Sequence, residues 1–230
     1  MRRFAREQSL SLVFGALFLA AIAGQAFAGW HDYNNLETWH AQMAGETPET
    51  VSFGRYVTTS SFAQAVTENW QSEYLQFTLF ILLTVWFVQK GSPESKQPGE
   101  GGRGSDEQQL VGSHAKPRSP RWAKAGGWRL AIYSNSLVLV MATIWLWSWF
   151  AQSVSGWSEN NADRLEHQQE SLSWVGYLGS ADFWQTTLQN WQSEFLAVGS
   201  MAVLAIYLRQ RGSPESKPVG APHDKTAVTG

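Results

Sequence analysis

Four apolar blocks separated by polar segments dominate the chain. They cover residues 10–27, 74–88, 130–154 and 195–208. A helix needs about 20 mostly apolar residues to cross the hydrocarbon of a bilayer, and the first and third blocks come to about that length or more without a charge. The second and fourth blocks become long enough only if their helices begin earlier, with Ser61 and Asp182 as N-cap residues. The pattern therefore predicts four transmembrane helices.

The first block also fits a different interpretation. Three basic residues (Arg2, Arg3 and Arg6) precede it, and it ends in small residues just before Gly29, as a cleaved signal peptide does. The third block occupies the equivalent place in the second half of the chain, where a signal peptide is excluded. We therefore expect the first block to stay in the protein as a span, with cleavage before Gly29 as the alternative.

The distribution of positive charge predicts the orientation of these spans. If the N-terminus lies inside, all Lys and Arg residues except Arg55 and Arg164 fall on the inner side, which is 15 of 17. Short loops that carry an excess of Lys and Arg stay in the cytoplasm. Both termini and the loop between the second and third spans are thus predicted to be cytoplasmic.

Two short strings occur twice along the chain. NWQSE occupies residues 69–73 and 190–194, and GSPESK occupies residues 91–96 and 212–217, with an offset of 121 in both cases. Each half also has a Gly-Trp pair after its first apolar block. The chain is thus predicted to be an all-α integral membrane protein with four transmembrane helices, arranged as two directly repeated helical hairpins related by an axis along the membrane normal.

The repeat also predicts the domain boundaries. The first two-span repeat covers residues 1–96 and the second covers residues 128–217. Residues 97–127 are rich in Gly, Ser, Pro and charge, which is typical of a disordered cytoplasmic linker, and residues 218–230 are predicted to be a disordered cytoplasmic tail. The basic end of the linker, with Trp122, either lies against anionic lipid headgroups or serves as a plain topogenic flank.

The GSPESK strings follow the predicted inner ends of two helices. Gly91 and Gly212 suit the left-handed position that ends a helix, and Ser-Pro-Glu then suits the start of a new turn. The string is thus predicted to end the helix, form a turn and begin a new helical turn at the inner membrane surface. A docking motif for a cytoplasmic partner is the alternative.

The NWQSE strings place polar side chains close to the predicted outer membrane boundary. In a helix, Asn69 and Glu73 share a face, as do Asn190 and Glu194, and carboxylates at such depth usually face the inside of a helix bundle or a cavity. One interpretation is an interhelical hydrogen-bond network, and the other is a solute or cation site built from Glu73 and Glu194. The predicted intramembrane polar cluster is Asn69, Gln71, Glu73, Asn190, Gln192 and Glu194.

The remaining residues give little sign of chemistry. The chain has no Cys, which excludes disulfides and thiolate metal sites, and no catalytic motif is recognisable. We therefore predict no catalytic residues, no metal site and no cofactor, and the net charge of −2 argues against nucleic acid as a partner. Four Trp residues next to the apolar blocks are predicted to anchor the protein at the membrane interface: Trp30, Trp70, Trp157 and Trp191.

The paired strings NWQSE[FY]L and GSPESK, together with a short basic N-terminus, resemble a family of small bacterial membrane proteins of unknown function. The resemblance covers nearly the whole chain. It implies a bacterial inner (cell) membrane location and carries over no catalytic residue. Our leading interpretation is a structural or interaction protein of the cell envelope, with the lipid bilayer and either a protein partner or a second copy of itself as partners. The runner-up is a small transporter or channel that uses the glutamate pair, and a membrane enzyme comes third.

Overall fold

The structure, a computed structural model, describes residues 2–230. These residues form helices, turns and loops, with no strand among them, so the predicted all-α class is confirmed. The helices are α1 (Arg2–Glu7), α2 (Ser9–Ala44), α3 (Phe53–Tyr56), α4 (Ser60–Leu83), α5 (Gly127–Ser134), α6 (Ser136–Glu166), α7 (Trp174–Leu178) and α8 (Ala181–Tyr207), with one short 3₁₀ turn at Gly112–His114.

The chain divides into two compact units. Unit 1 contains residues 1–66 and 154–171, and unit 2 contains residues 67–153 and 172–230. Helices α4 and α6 each contribute one end to unit 1 and the other end to unit 2. The boundaries predicted at residues 96, 127 and 217 stay a prediction.

Unit 1 holds the segment before α3 against helix α2. Trp30 Nε1 donates to the carbonyl of Val51 at 2.7 Å, and the Asn34 side chain bonds both the amide and the carbonyl of Val51. Tyr56 is only 5% exposed, and its hydroxyl lies so close to Gly29 that a Cβ there would clash with it. Glycine at position 29 therefore permits the close approach of α2 to this tyrosine.

Unit 2 buries polar side chains and exposes apolar ones. Gln71 on α4, Ser148 on α6 and Thr187 on α8 are each 0% exposed. On the same helices, large apolar side chains point outward, and Leu196 of α8 is 70% exposed. Fully buried polar side chains beside large exposed apolar ones are uncommon in a water-soluble domain.

Two helices, and not the predicted four, are long and apolar enough to cross a membrane. They are α2 and α6, by length and composition over the described residues. Helices α4 and α8 contain 24 and 27 residues, but polar residues fill their first turns as well as the NWQSE strings. Their composition, rather than their length, sets them apart from α2 and α6.

The structure also corrects where α4 and α8 begin and end. Thr59 and Ser180, not Ser61 and Asp182, accept the amides of Phe62 and Phe183 and so cap these helices. The helices end at Leu83 and Tyr207, before Gly91 and Gly212, the residues that were predicted to end them.

Cationic side chains hold the last carbonyls of these helices and of the turns that follow. The Lys96 ammonium donates to the Val85 carbonyl at 3.1 Å, and the Arg209 guanidinium donates to the Ile206 carbonyl at 3.0 Å. Such contacts satisfy carbonyls that lack an intrahelical partner. Because these cations come from further along the chain, the apolar run alone does not indicate the helix ends.

Candidate functional site: the polar core of unit 2 and the GSPESK loops

The two NWQSE strings meet through one buried hydrogen bond. Trp191 Nε1 on α8 donates to Gln71 Oε1 on α4 at 2.7 Å. Gln71 is fully buried, and Trp191 is partly buried. The contact joins the third residue of the first string to the second residue of the second string, so it uses non-equivalent positions.

Helix α6 packs an aromatic cluster against this bond. The ring of Trp149 lies 5.7 Å from that of Trp191, and it stacks on Trp145 at 5.9 Å and on Phe183 at 6.1 Å. Aromatic pairs of this kind contribute about 0.5–1.5 kcal/mol each beyond the area that they bury. The indole of Trp191 therefore contacts an aromatic ring of α6 and donates to the side-chain amide oxygen of Gln71 on α4.

The core keeps unused hydrogen-bonding capacity. Gln71 Nε2, Ser148 Oγ and Thr187 Oγ1 are buried with no hydrogen-bond partner among the described residues, and the same is true of the indole nitrogens of Trp145 and Trp149. Leaving a buried polar group unpaired costs about 1–3 kcal/mol. Polar atoms of this kind are commonly bridged by buried water in folded proteins.

The two glutamates of the strings are brought near each other at the edge of this core. Glu194 is partly buried, its carboxylate lies within hydrogen-bonding range of the Ser72 hydroxyl, and it faces the charge of Glu73. Glu73 itself is exposed. The structure therefore places one carboxylate at the surface of unit 2 and the other partly inside it.

The other predicted members of the polar cluster are not drawn into this core. The Asn190 amide donates to the Thr186 carbonyl one turn earlier on its own helix, at 3.0 Å. Asn69 and Gln192 are exposed, and Trp70 is partly buried. Only Gln71 among the predicted polar residues is fully buried, so equivalent positions of the two strings have different surroundings.

The two remaining Trp residues of the predicted interface set lie in unit 1. Trp30 is partly buried and uses its indole N–H within the protein, on the Val51 carbonyl. Trp157, on α6, is also partly buried. Their role as membrane anchors stays a prediction.

Sequence reasoning missed the contribution of α6 to the polar core. Ser148 and Gln152 lie four residues apart on α6, with 0% and 2% exposure. Thr187 likewise lies four residues before Trp191 on α8. The available signal was this helical spacing of polar residues within apolar surroundings, which marks a polar face of the helix.

The two GSPESK strings fold in the same way. In each, a serine hydroxyl accepts the amide of the glutamine six residues earlier, at 2.8 Å for Ser95 and 2.9 Å for Ser216. Gly91 and Gly212 both have positive φ, 90° and 80°, as predicted. Because L-residues with a side chain rarely adopt this conformation, both glycines are required by the turn.

The ammonium group of the lysine that ends each string donates to backbone carbonyls of the turns around it. Lys96 Nζ donates to the carbonyls of Val85 and Gly102. Lys217 is fully buried, and its Nζ donates to the carbonyls of Pro222, His223 and Lys225 at 3.2, 2.8 and 3.2 Å. Lys217 thus organises the loop after its string, whereas Lys96 links the loop after its string to the turn that follows α4.

The C-terminal residues join the two loops within unit 2. Thr226 Oγ1 accepts the Gly91 amide at 2.9 Å, and the Ala227 amide donates to the Ser92 carbonyl at 3.1 Å. The Gly230 amide donates to the Ser216 carbonyl at 2.7 Å. The structure thus describes residues 218–230 as a loop with defined hydrogen bonds, and it describes residues 97–127 as turns around the 3₁₀ element. The disorder predicted for both segments stays a prediction.

The loops also bring two carboxyl groups together. A hydrogen bond with Glu215, followed by burial and by the charge of Glu215, raises the pKa of Glu94 from its ordinary 4.5 to about 7. Two carboxylates that share a site hold one proton more tightly than either does alone. Near neutral pH this pair therefore binds or releases one proton, and it carries one negative charge with the proton and two without it.

Comparison with known proteins places the chain in a family but assigns no chemistry. No curated protein and no solved structure matches it. One family model, described as a domain of unknown function (DUF6766), matches residues 1–228. Because this match covers almost the entire sequence, the chain belongs to the DUF6766 family.

Proposed function

We propose that this protein is a four-span component of the bacterial inner membrane with a structural or interaction role in the cell envelope. The observation that carries the proposal is the inverted distribution of polarity in unit 2. Fully buried Gln71, Ser148 and Thr187 contrast with exposed Leu196 and Leu204, which are 70% and 50% exposed. Lipid rather than water is the solvent that suits such an exterior.

The same observation supports α4 and α8 as spans in addition to α2 and α6. With a rise of about 1.5 Å per residue, helices of 24 and 27 residues extend about 36 and 40 Å, which exceeds the roughly 30 Å of bilayer hydrocarbon. Their polar residues lower their average hydropathy, but Gln71, Thr78 and Thr187 are buried, and the exposed Asn69, Glu73 and Gln192 lie near the predicted outer membrane boundary. A span need be apolar only on the faces that meet lipid.

Matching local hydrogen bonds support the duplicated arrangement. Ser52 and Ser173 each accept an amide three residues later and cap the short helices α3 and α7, at 3.3 and 3.1 Å. Tyr56 and Tyr177, four residues after these serines, are both buried. Together with the two GSPESK loops, these pairs have the same offset of 121.

A structural role is favoured over transport by what surrounds the NWQSE strings. Gln71 and Trp191 bond each other directly. The cavity between α4 and α8 that we describe below has a volume of about 380 Å³, and neither Glu73 nor Glu194 lines it. A direct hydrogen bond between the helices suits a role in helix–helix association, whereas transport requires an aqueous path to the glutamates.

The specific observation in favour of transport is the approach of Glu194 to Glu73. Glu73→Gln and Glu194→Gln separate the two functions, because an amide still forms hydrogen bonds but carries no charge. With a structural role, both variants keep the thermal stability of the wild type in detergent and leave ion permeability of proteoliposomes unchanged. A cation or proton flux that the wild type supports and both variants abolish establishes transport instead.

Reporter fusions test the four-span proposal. Fusions near Gly112 and after Lys217 are expected to report the cytoplasm, and a fusion near Gly45 the outer side, because of the distribution of Lys and Arg. A fusion near Glu170, between α6 and α7, serves as the second outer site. An outer signal at Gly112 contradicts the proposal.

A further inference from the structure

A groove between α4 and α8 ends at the first GSPESK loop. It has a volume of about 380 Å³, which is within the range of small-molecule sites, about 300–1,000 Å³. One wall is made of Phe77, Phe80, Leu83, Phe87 and Val88 with Gln76 and Thr84 among them, and the opposite wall carries Ala197, Val198, Met201, Ala202 and Ala205.

The polar end of the groove is chemically distinct from its walls. Gln89, Ser92, Glu94 and Ser95 line it there, and Glu94 shares a hydrogen bond with Glu215 of the second GSPESK loop. Of these residues, Glu94 carries the charge. An occupant that matches both parts has a hydrocarbon body and a positively charged head.

The nearby cations leave this negative charge available. Lys96 and Lys217 direct their ammonium groups to loop carbonyls, and Arg209 directs its guanidinium to the carbonyls of Ile206, Leu208 and Ala221. These contacts hold three positive charges on backbone oxygens. The glutamate pair therefore has capacity for a cation from outside the protein.

We propose that the groove between α4 and α8 binds a phospholipid whose headgroup carries an ammonium group, with the acyl chain along the apolar walls and the ammonium against Glu94 and Glu215. The choice of a lipid rests on the proposed membrane location, in which the exposed side chains of Phe87 (70%) and Met201 (45%) meet the bilayer. The choice of headgroup rests on charge complementarity, because an anionic headgroup would face two carboxyl groups. The hydroxyl of Ser92 and the side-chain amide of Gln89 suit the lipid phosphate as hydrogen-bond donors.

Native mass spectrometry of the full chain tests this site. Protein extracted in a neutral detergent is incubated at pH 8 with equal amounts of phosphatidylethanolamine and phosphatidylglycerol. We expect preferential retention of the ethanolamine lipid. We also expect Glu94→Gln to reduce that retention about two- to fivefold, which corresponds to a half-exposed ion pair of about 0.4–1 kcal/mol.

Two further variants make the result specific. Glu107→Gln removes an exposed glutamate that does not line the groove and is expected to retain lipid as the wild type does. Ala202→Trp fills the groove between its walls and is expected to reduce retention without a change in charge. Thermal melting of each variant confirms that it is folded.

The proposal predicts its own pH dependence. Protonation of the glutamate pair removes charge, so lowering the pH from 8 to 6 should weaken retention of the ethanolamine lipid in the wild type and much less in Glu94→Gln.

Equal retention of the two lipids by the wild type, or equal retention by Glu94→Gln and Glu107→Gln, overturns the assignment. Because reporter fusions measure membrane topology separately, loss of headgroup preference in a correctly inserted protein refutes this site and leaves the proposed function standing.

Discussion

Trp191 Nε1 on α8 donates a hydrogen bond to Gln71 Oε1 on α4 at 2.7 Å, and Gln71 has no exposed surface. This bond connects the two copies of NWQSE across 120 residues of chain. The bond gives a physical reason for Gln71 in the first string and for Trp191 in the second, and it does not involve their counterparts Gln192 and Trp70. In the proposed membrane location, such a bond ties two helices together where lipid supplies no hydrophobic attraction between them.

Trp191→Phe is expected to destabilise the protein by about 1–3 kcal/mol, because it removes the donor and leaves Gln71 Oε1 buried without a partner. Trp147→Phe changes an exposed tryptophan on α6 and is the matched control. Thermal unfolding in detergent measures both. The single variant Gln71→Leu and the double variant Gln71→Leu/Trp191→Phe complete a double-mutant cycle. If the double variant loses as much stability as Gln71→Leu and Trp191→Phe lose in sum, the residues are not coupled and the account of this bond is wrong.

Lys217→Met is expected to unfold the second GSPESK loop locally. The ammonium donates to three loop carbonyls and is fully buried, and hydrogen bonds from a charged donor contribute about 1.5–3 kcal/mol. Hydrogen exchange at the amides of Ala221 and Ala227 should therefore accelerate. Lys225→Met, which changes an exposed lysine nearby, should leave these rates unchanged; equal acceleration in both variants excludes a specific role for Lys217.

The contribution of Glu94 to the free energy of unfolding is expected to fall as the pH rises from about 4.5 to 7. Its pKa is raised to about 7 by Glu215 and by burial, so the folded protein binds more protons than the unfolded chain in this window, and unfolding becomes easier as those protons leave. Glu94→Gln should show a smaller decrease in melting temperature between pH 5 and pH 8. Glu107→Gln should follow the wild type, and identical slopes in all three proteins contradict the pairing.

Helical class and loop chemistry were predictable because they depend on local sequence. Apolar blocks of about 20 residues predict helices, and Gly91 and Gly212 were placed at positive φ because a turn was expected at both. The predicted N-caps were two residues late, since Thr59 and Ser180 fit the same rule as Ser61 and Asp182. Where several acceptable cap residues follow one another, tertiary packing decides which of them caps the helix.

The polar core was predictable only in part because it depends on which helix faces which. Gln71 was identified from its repeated string, but the repeat implied that Gln192 would behave in the same way, and Gln192 is exposed. Ser148 and Thr187 lie outside both strings. Neighbouring helices, rather than local sequence, decide which of two equivalent side chains becomes buried.

Single-cysteine labelling tests the four-span account most directly, because the chain has no native Cys. Cysteines placed at Glu170 and Ser213 flank α8, and cysteines placed at Glu46 and Gln108 flank the segment that contains α4. In intact cells, a membrane-impermeant maleimide should label Glu46→Cys and Glu170→Cys, and it should label Ser213→Cys and Gln108→Cys only after the membrane is opened. Labelling of both Glu170→Cys and Ser213→Cys from the same side would show that α8 does not cross the membrane, and would contradict the account.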